Sequence, residues 1–470
     1  MTTLDFKARA HAAMNDARLA PALKRMKSHF QTGRAAAAER FPEFEMLRDR
    51  AAAIRRRSIA LMPDLLERFE ANATAAGMQV HWAADAAEAC AIAARICKAA
   101  GVKRAIKSKS MATEEIHLNA HLAREGIEPI ETDLGEYIIQ LRGERPSHII
   151  APAIHLSKED VAETFRAAHA DLPQDRDTES RPALVREARI KLREAFLSAD
   201  AGITGGNMLI AETGTVLLVS NEGNIDLTGA APRLHIAIAG LDKIVESWDD
   251  AGIVLRVLAR SATGQDMSSY VTALTGTARE EGEAGPREAH IILLDNGRSA
   301  LRASNKAEML ACIRCGACLN HCPIYAATGG HAYGGTYSGP MGAVLTPLFD
   351  GLRENADLPS ASTFCGRCEA VCPVRIPLPM LLRHWREDAF TAGIPPRGER
   401  WGLRLWRWAG RAPWRYRLAT RLASMGVRTL GWFQRGRVKR LPLAGGNFTA
   451  TRDLPPPTGA TFQARWKGKR

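Results

Sequence analysis

The chain has 470 residues, 46% of them hydrophobic, and a net charge of +13. That length allows two or three domains with a sizeable core, and no stretch supplies the roughly 18 uninterrupted apolar residues of a membrane span. The charge is localised: residues 401–470 carry 16 Lys and Arg against the single acid Asp453, leaving −2 on the other 400. The basicity therefore belongs to the tail and not to the body, and no nucleic-acid partner is expected.

Met1 to Ala13 has charges but no apolar centre, so it does not read as a secretory signal and a cytoplasmic place is expected. Residues 1–65, Ala-rich and charged, read as a helical N-terminal segment. From 66 to 300 the pattern alternates as in an α/β domain. Strands are expected at Met78–Trp82, Val102–Ile106, Ser147–Ile154, Met208–Ile210, Thr215–Ser220, His235–Ala239 and His290–Leu294. Helices fit Asp85–Ala100, Thr113–Arg124, Ser157–Ala168 and Ala183–Ala199, with a charged, proline-bearing loop at Asp171–Pro182. Cys90 and Cys97, seven apart on the first of these helices, read as small core residues. The turn Lys107-Ser108-Lys109-Ser110 has the donors to hold a carboxylate or phosphate, or else is a solvated loop.

Residues 301–390 change character. They hold seven of the nine cysteines, in C-I-R-C-G-A-C-L-N-H-C-P (Cys312, Cys315, Cys318, Cys322) and C-G-R-C-E-A-V-C-P (Cys365, Cys368, Cys372). Three thiolates spaced by two residues wrap one iron–sulfur cube, and the cysteine before the proline turns to the neighbouring cluster. Structural zinc is the rival, but it explains neither the third cysteine of the run nor the prolines. By the crossover rule Cys312, Cys315, Cys318 and Cys372 hold cluster 1, and Cys322, Cys365 and Cys368 hold cluster 2. The eighth position falls on Ser362. Cluster 2 is then either 4Fe–4S with a non-cysteine ligand or 3Fe–4S, which needs only three. His321 reads as a hydrogen-bonding neighbour of the cluster. Between the runs, Gly329–Gly342 places six glycines in fourteen positions, a connection suited to close backbone approach. Val344–Leu352 and Leu378–Thr391 read as helices, which favours an α-helical ferredoxin.

Residues 391–470 form a basic region in which Trp401, Trp406, Trp408, Trp414 and Trp432 alternate with arginines. Such a segment packs its tryptophans on the body, or docks on an acidic partner or an anionic membrane surface. Arg452–Arg470 reads as extended and mobile.

With these pieces in view, the chain resembles the lactate utilization protein B family. The telling phrases are K-S-K-S-M-A-T-E-E (Lys107–Glu115), E-T-D-L-G-E-Y-I-I-Q-L (Glu131–Leu141), G-E-R-P-S-H-I-I-A (Gly143–Ala151), I-T-G-G-N-M-L-I-A-E-T-G (Ile203–Gly214) and R-S-A-T-G-Q (Arg260–Gln265). The resemblance implies a front domain of the NagB/ribose-phosphate isomerase/CoA-transferase group and an α-helical two-cluster ferredoxin module with two 4Fe–4S clusters. It also implies two companion subunits, one of them Cys-rich, in a system that oxidises L-lactate. No G-x-G-x-x-G marks a flavin or nicotinamide site. The expected role is thus an electron-transfer subunit. The alternatives are a catalytic front domain acting on an acyl or hydroxy-acid substrate, with the clusters as built-in relay, or a scaffold braced by clusters. If the front domain is catalytic, Glu212 is the acid to test first.

Overall fold

Long apolar runs set the centre of the front domain. Among the residues that the computed structural model describes (5–278, 283, 285–442, 445, 446, 448–450, 452–459 and 461–467), ten strands form two sheets. They are β1 (Gln79–Ala83), β2 (Arg104–Lys107), β3 (Glu128–Glu131), β4 (Ala201–Thr204), β5 (Met208–Ile210), β6 (Thr215–Ser220), β7 (Leu234–Gly240), β8 (Ile244–Val245), β9 (Tyr270–Leu274) and β10 (Glu288–Leu294). Six of them make an all-parallel sheet in the order β1-β10-β7-β4-β2-β3. The other four form a sheet in the order β8-β5-β6-β9.

Strands β4 and β7 are buried at every position, as a parallel sheet covered on both faces requires. Side chains alternate between those faces. Ile236 and Ile238 meet Cys90, Ile92 and Cys97 of the helix Ala86–Ala99, whereas Ala237 and Ala239 meet Leu66 and Phe69 of the helix Met62–Ala75. Asp85 starts the former helix by accepting the Glu88 N–H, at 2.9 Å. Cys90 and Cys97 are core residues, as their spacing suggests, and burial pushes their thiols up to about 11 and about 12.

By contact the chain divides at Glu387/Asp388 into two compact units. The first takes in the N-terminal helices, both sheets and the cysteine runs. Its helices supply a set of polar clamps. Gln31 donates to Asn320 O (2.8 Å), Arg34 to Val371 O (3.3 Å), and Arg48 to Ala370 O and Cys372 O (2.6 and 2.8 Å). Arg55, 2% exposed, donates to Ile244 O at 2.6 Å and also to the Asp242 and Leu310 carbonyls. Several of these carbonyls, such as Asn320 O and Ala370 O, lie at the ends of short helices, where backbone acceptors lack an intrahelical partner.

Three sequence expectations need correction. Ser147–Ile154 is not a strand, because its polar groups are satisfied locally and across the unit. The Ser147 N–H bonds Pro152 O, the Ile150 and Ala151 N–H groups point at His148 Nδ1, and Ser147 O accepts from Tyr325. Thr113–Arg124 is not one helix but two, Met111–Glu115 and Leu118–Arg124, separated at His117 with φ of 53°. Its Glu115 is drawn aside to Arg298 and Tyr337. In the expected extended end, Phe462–Lys467 is helical, while residues 460 and 468–470 lie outside the described residues.

The second unit contains the helices Arg397–Gly410 and Pro413–Phe433. Their tryptophans are exposed, from 47% at Trp408 to 76% at Trp432, so they do not form a core within this unit. Arg415 lies over the Trp408 and Trp414 rings at 5.0 and 5.3 Å. Among the described residues no helix is long and apolar enough to cross a membrane.

Candidate metal centres and an adjoining cavity

The two cysteine runs fold as copies of one loop. In the first, Arg314 (φ 56°) and Gly316 (φ 74°) precede the helical turn Ala317–Asn320; in the second, Phe364 (φ 53°) and Gly366 (φ 77°) precede Arg367–Ala370. A left-handed arginine and phenylalanine at matching positions are costly, and the repetition ties that cost to the loop's shape. The Arg314 N–H donates to Cys312 Sγ at 3.4 Å, and the Phe364 N–H donates to Ser362 Oγ at 3.1 Å. Ser362 thus sets its oxygen where the first loop sets a sulfur.

The seven thiols sort into two groups. Cys312, Cys315, Cys318 and Cys372 line one cavity, walled by Met309, Met341 and Ile376. Burial lifts the thiols of Cys315 and Cys318, and the neighbouring sulfurs of this set add to the lift. Burial likewise pushes Cys372 up to about 11. Cys322, Cys365 and Cys368 form the other group. Burial pushes Cys368 up to about 12, with Cys322 and Cys365 contributing, whereas the N–H of Arg367 draws exposed Cys365 down. Buried thiols with raised pKa ionise when a metal takes the proton's place. Four soft donors around one cavity and a second group of three fit iron–sulfur clusters. Among the described residues no three His, Cys, Asp or Glu groups converge on a point suited to a single ion.

Around these loops, Nδ1 of His321 donates to Ala317 O at 2.9 Å, a backbone bond that fixes the turn before Cys322. Arg375 bonds Glu45 and Asp49 at 2.8 and 2.9 Å. Gly330 of the glycine-rich connection lies so close to Ser147 O that a Cβ there would collide with it. The close approach is therefore to a front-domain loop.

A larger cavity of about 280 Å³ lies alongside. Its wall includes Lys109 after β2, Gly205, Gly206 and Asn207 after β4, and Lys243 after β7, so it opens at the carboxyl ends of parallel strands. Ile313, Arg314 and Cys315 of the first cysteine loop complete it. The turn with two lysines is split by the fold. Lys107, 1% exposed, is bound to Glu131 at 2.7 Å, Thr113 at 2.9 Å and Glu114 at 3.1 Å, and Glu131 and Glu114 hold its ammonium above the ordinary lysine range despite its burial. Lys109 faces the cavity instead; its Nζ makes no hydrogen bond, and Glu136 stands 3.8 Å away. Glu212 is exposed, accepts the Trp248 N–H at 3.0 Å and lies outside this wall.

Sequence reasoning missed Arg48 and Arg55 as builders of the site, and read Arg314 only as a positive charge beside the cysteine run. One signal was present: Arg48 and Arg55 sit seven apart among Leu47, Ala51 and Ile54, on the apolar stripe of a helix.

Residues 66–294 match the LUD domain family, and residues 308–376 match the 4Fe–4S dicluster domain family. The chain is 38% identical to Lactate utilization protein B of Bacillus velezensis, over 99% of this chain and 97% of that one. It is 38% identical to the protein of the same name from Lysinibacillus sphaericus, over 94% and 92%. It is 37% identical to the Uncharacterized electron transport protein YkgF of Escherichia coli, over 98% and 96%. Among solved structures, a DUF162 family protein from Deinococcus radiodurans is 18% identical and covers 50% of this chain and 98% of its own, with a TM-score of 0.26.

Proposed function

The chain belongs to the lactate utilization protein B family, and from that premise we propose that it is the iron–sulfur electron-transfer subunit of a complex oxidising L-lactate to pyruvate. The observation that carries the reading is the sorting of the thiols: four line one cavity, Cys322, Cys365 and Cys368 form a second group, and Ser362 sets an oxygen in the second loop where the first sets a sulfur. Bound clusters supply one-electron uptake and release. Cys312, Cys315, Cys318 and Cys372 would hold the first. Cys322, Cys365 and Cys368 would hold the second, with Ser362 Oγ as its fourth ligand, so that both are 4Fe–4S. The first set shares Cys315 with the larger cavity, and the second includes exposed Cys365. One group thus stands next to a small-molecule space and the other next to solvent, as a relay requires.

The remaining parts of the reading are a front domain of the NagB group, supported by its covered parallel sheet, and assembly with two companion subunits, one of them Cys-rich. We place the protein in the cytoplasm, with the exposed Trp and Arg face of residues 401–470 docking on an acidic partner or an anionic membrane surface. Anaerobic iron and sulfide analysis with electron paramagnetic resonance tests the reading. Two four-iron signals that reduce and reoxidise reversibly support it, whereas a protein that binds zinc in preference to iron rejects it.

A further inference from the structure

The cavity beside the first cysteine loop is more than a gap between segments. In the parallel sheet, the chain runs outward from β2 to β3, then returns to β4 on the other side of β2 and continues through β7 to β10. The order reverses between β2 and β4, and open parallel sheets bind ligands at the carboxyl ends flanking such a reversal. Lys109 follows β2 and Gly205-Gly206-Asn207 follows β4, and all four line the cavity. Its volume of about 280 Å³ suits a small molecule, near the lower end of the ~300–1,000 Å³ usual for ligand sites.

The polar inventory selects the class of ligand. Arg298 is consumed by Glu115 and Asp242, and Lys243 sits beside Asp242 and bonds Cys312 O. Asp133 and Glu222 also face the cavity, but each is engaged with the start of the helix Leu134–Arg142, accepting the Glu136 and Leu134 N–H groups. The buried donors that make no hydrogen bond are Lys109 Nζ, whose nearest acid is Glu136 at 3.8 Å, and the Nε and Nη1 of Arg314, whose Nη2 stands 3.7 Å from Asp242. Asn207 spends its oxygen on the Val219 N–H, at 2.9 Å. Opposite them stands an apolar wall of Ile149, Ile150, Leu218, Leu258 and Ile313. Buried cationic donors want an anion, and the apolar wall wants carbon.

We propose that this cavity binds a small organic carboxylate, held by Lys109 and Arg314 with its carbon body on the apolar wall, directly against the loop that carries Cys315. The choice of probes rests on the proposed function: L-lactate and pyruvate, with inorganic phosphate as the comparison. The test is anaerobic calorimetric titration of the full-length, iron-loaded protein, with the paramagnetic spectrum of the reduced first cluster recorded with and without ligand. Saturable binding of either carboxylate is expected, with a shift of that spectrum. Lys109→Gln and Asn207→Asp should each weaken binding about tenfold or more, the latter by placing a negative charge in the wall. The second variant retains the Val219 bond, which guards against a folding defect in the first. Lys98→Gln, an exposed lysine paired with Glu125, should bind as the parent does.

Unchanged affinity in both variants, no binding of either carboxylate, or binding of phosphate alone would overturn the proposal. Cluster reduction by dithionite and reoxidation by an artificial acceptor are measured on the same samples. Clusters that cycle without carboxylate binding sink the cavity alone, whereas clusters that do not cycle sink the electron-transfer reading.

Discussion

The Nε2–H of His148 donates to Oδ1 of Asn320 at 3.0 Å, joining a front-domain loop to the first cysteine run across 172 residues. The tautomer is set by the other ring nitrogen, which receives the Ile150 and Ala151 N–H groups at 3.2 and 3.3 Å. Asn320 in turn donates to Ala262 O at 3.3 Å. Two phrases that look independent in the sequence are therefore one buried network.

Asn320→Ala strands the His148 N–H in the interior, and an unpaired buried donor costs about 1–3 kcal/mol. The expected outcome in urea unfolding is a loss of that size, with the Gln31 contact retained because it is made to the backbone carbonyl. A variant as stable as the parent would mean that water reaches the ring.

The same histidine makes stability depend on pH. Burial depresses His148 to about 3 and His235 to about 4, and it lowers His81, His155 and His321 as well. Below pH 6.5 the unfolded chain takes up protons at these histidines that the folded one refuses, which lowers stability as pH drops toward 4; buried Glu136, pushed up to about 8 and protonated in the folded chain, offsets part of the loss. Each fully buried histidine contributes up to about 1.4 kcal/mol per pH unit. Denaturation midpoints at pH 7.5, 6 and 5 check this, a window in which exposed carboxylates stay ionised; a flat profile contradicts it.

On the proposed ligand assignment, Cys315→Ser should damage the first cluster and leave the signal of the second, to which Cys322, Cys365, Cys368 and Ser362 are assigned. Loss of both signals would show that the two sites load only together.

Ser362→Ala should convert the second cluster to a three-iron form with a distinct paramagnetic signal when oxidised, whereas Ser362→Cys should keep four irons and shift the potential. Identical spectra for the parent and both variants would remove Ser362 from the ligand set.

Removing residues 401–470 deletes a charge of +15 and the exposed tryptophans. Iron content should be spared, while association with an acidic partner or with anionic vesicles disappears. In the parent that association should weaken with salt, since exposed charges are screened over about 10 Å at 0.1 M. Emptied clusters in the truncated protein would instead make the tail part of the fold.

Much of the fold was legible. The strands Met208–Ile210 and Thr215–Ser220 and the helix Leu378–Thr391 stand where their patterns put them, since each is set by local periodicity and burial of its own apolar face. Ser147–Ile154 was not legible. Its apolar residues imitate a strand, yet its backbone is satisfied by His148, Pro152 and Tyr325. β3 and β4 were missed because EPIE and AGIT each carry a single large apolar residue, too little to mark a strand.

The spacing of seven cysteines by itself determined the iron–sulfur chemistry and the gap at Ser362, because ligand geometry is written within two short runs, Cys312–Cys322 and Ser362–Cys372. What only the tertiary structure decided is what surrounds them. Arg48 and Arg55 close on carbonyls far along the chain, Lys107 turns into a buried ion pair while Lys109 meets a cavity, and Arg314 joins that cavity to the first thiol set. Those choices depend on contacts spanning hundreds of residues, where desolvation and the need to pair every buried charge select one arrangement that no local spacing encodes.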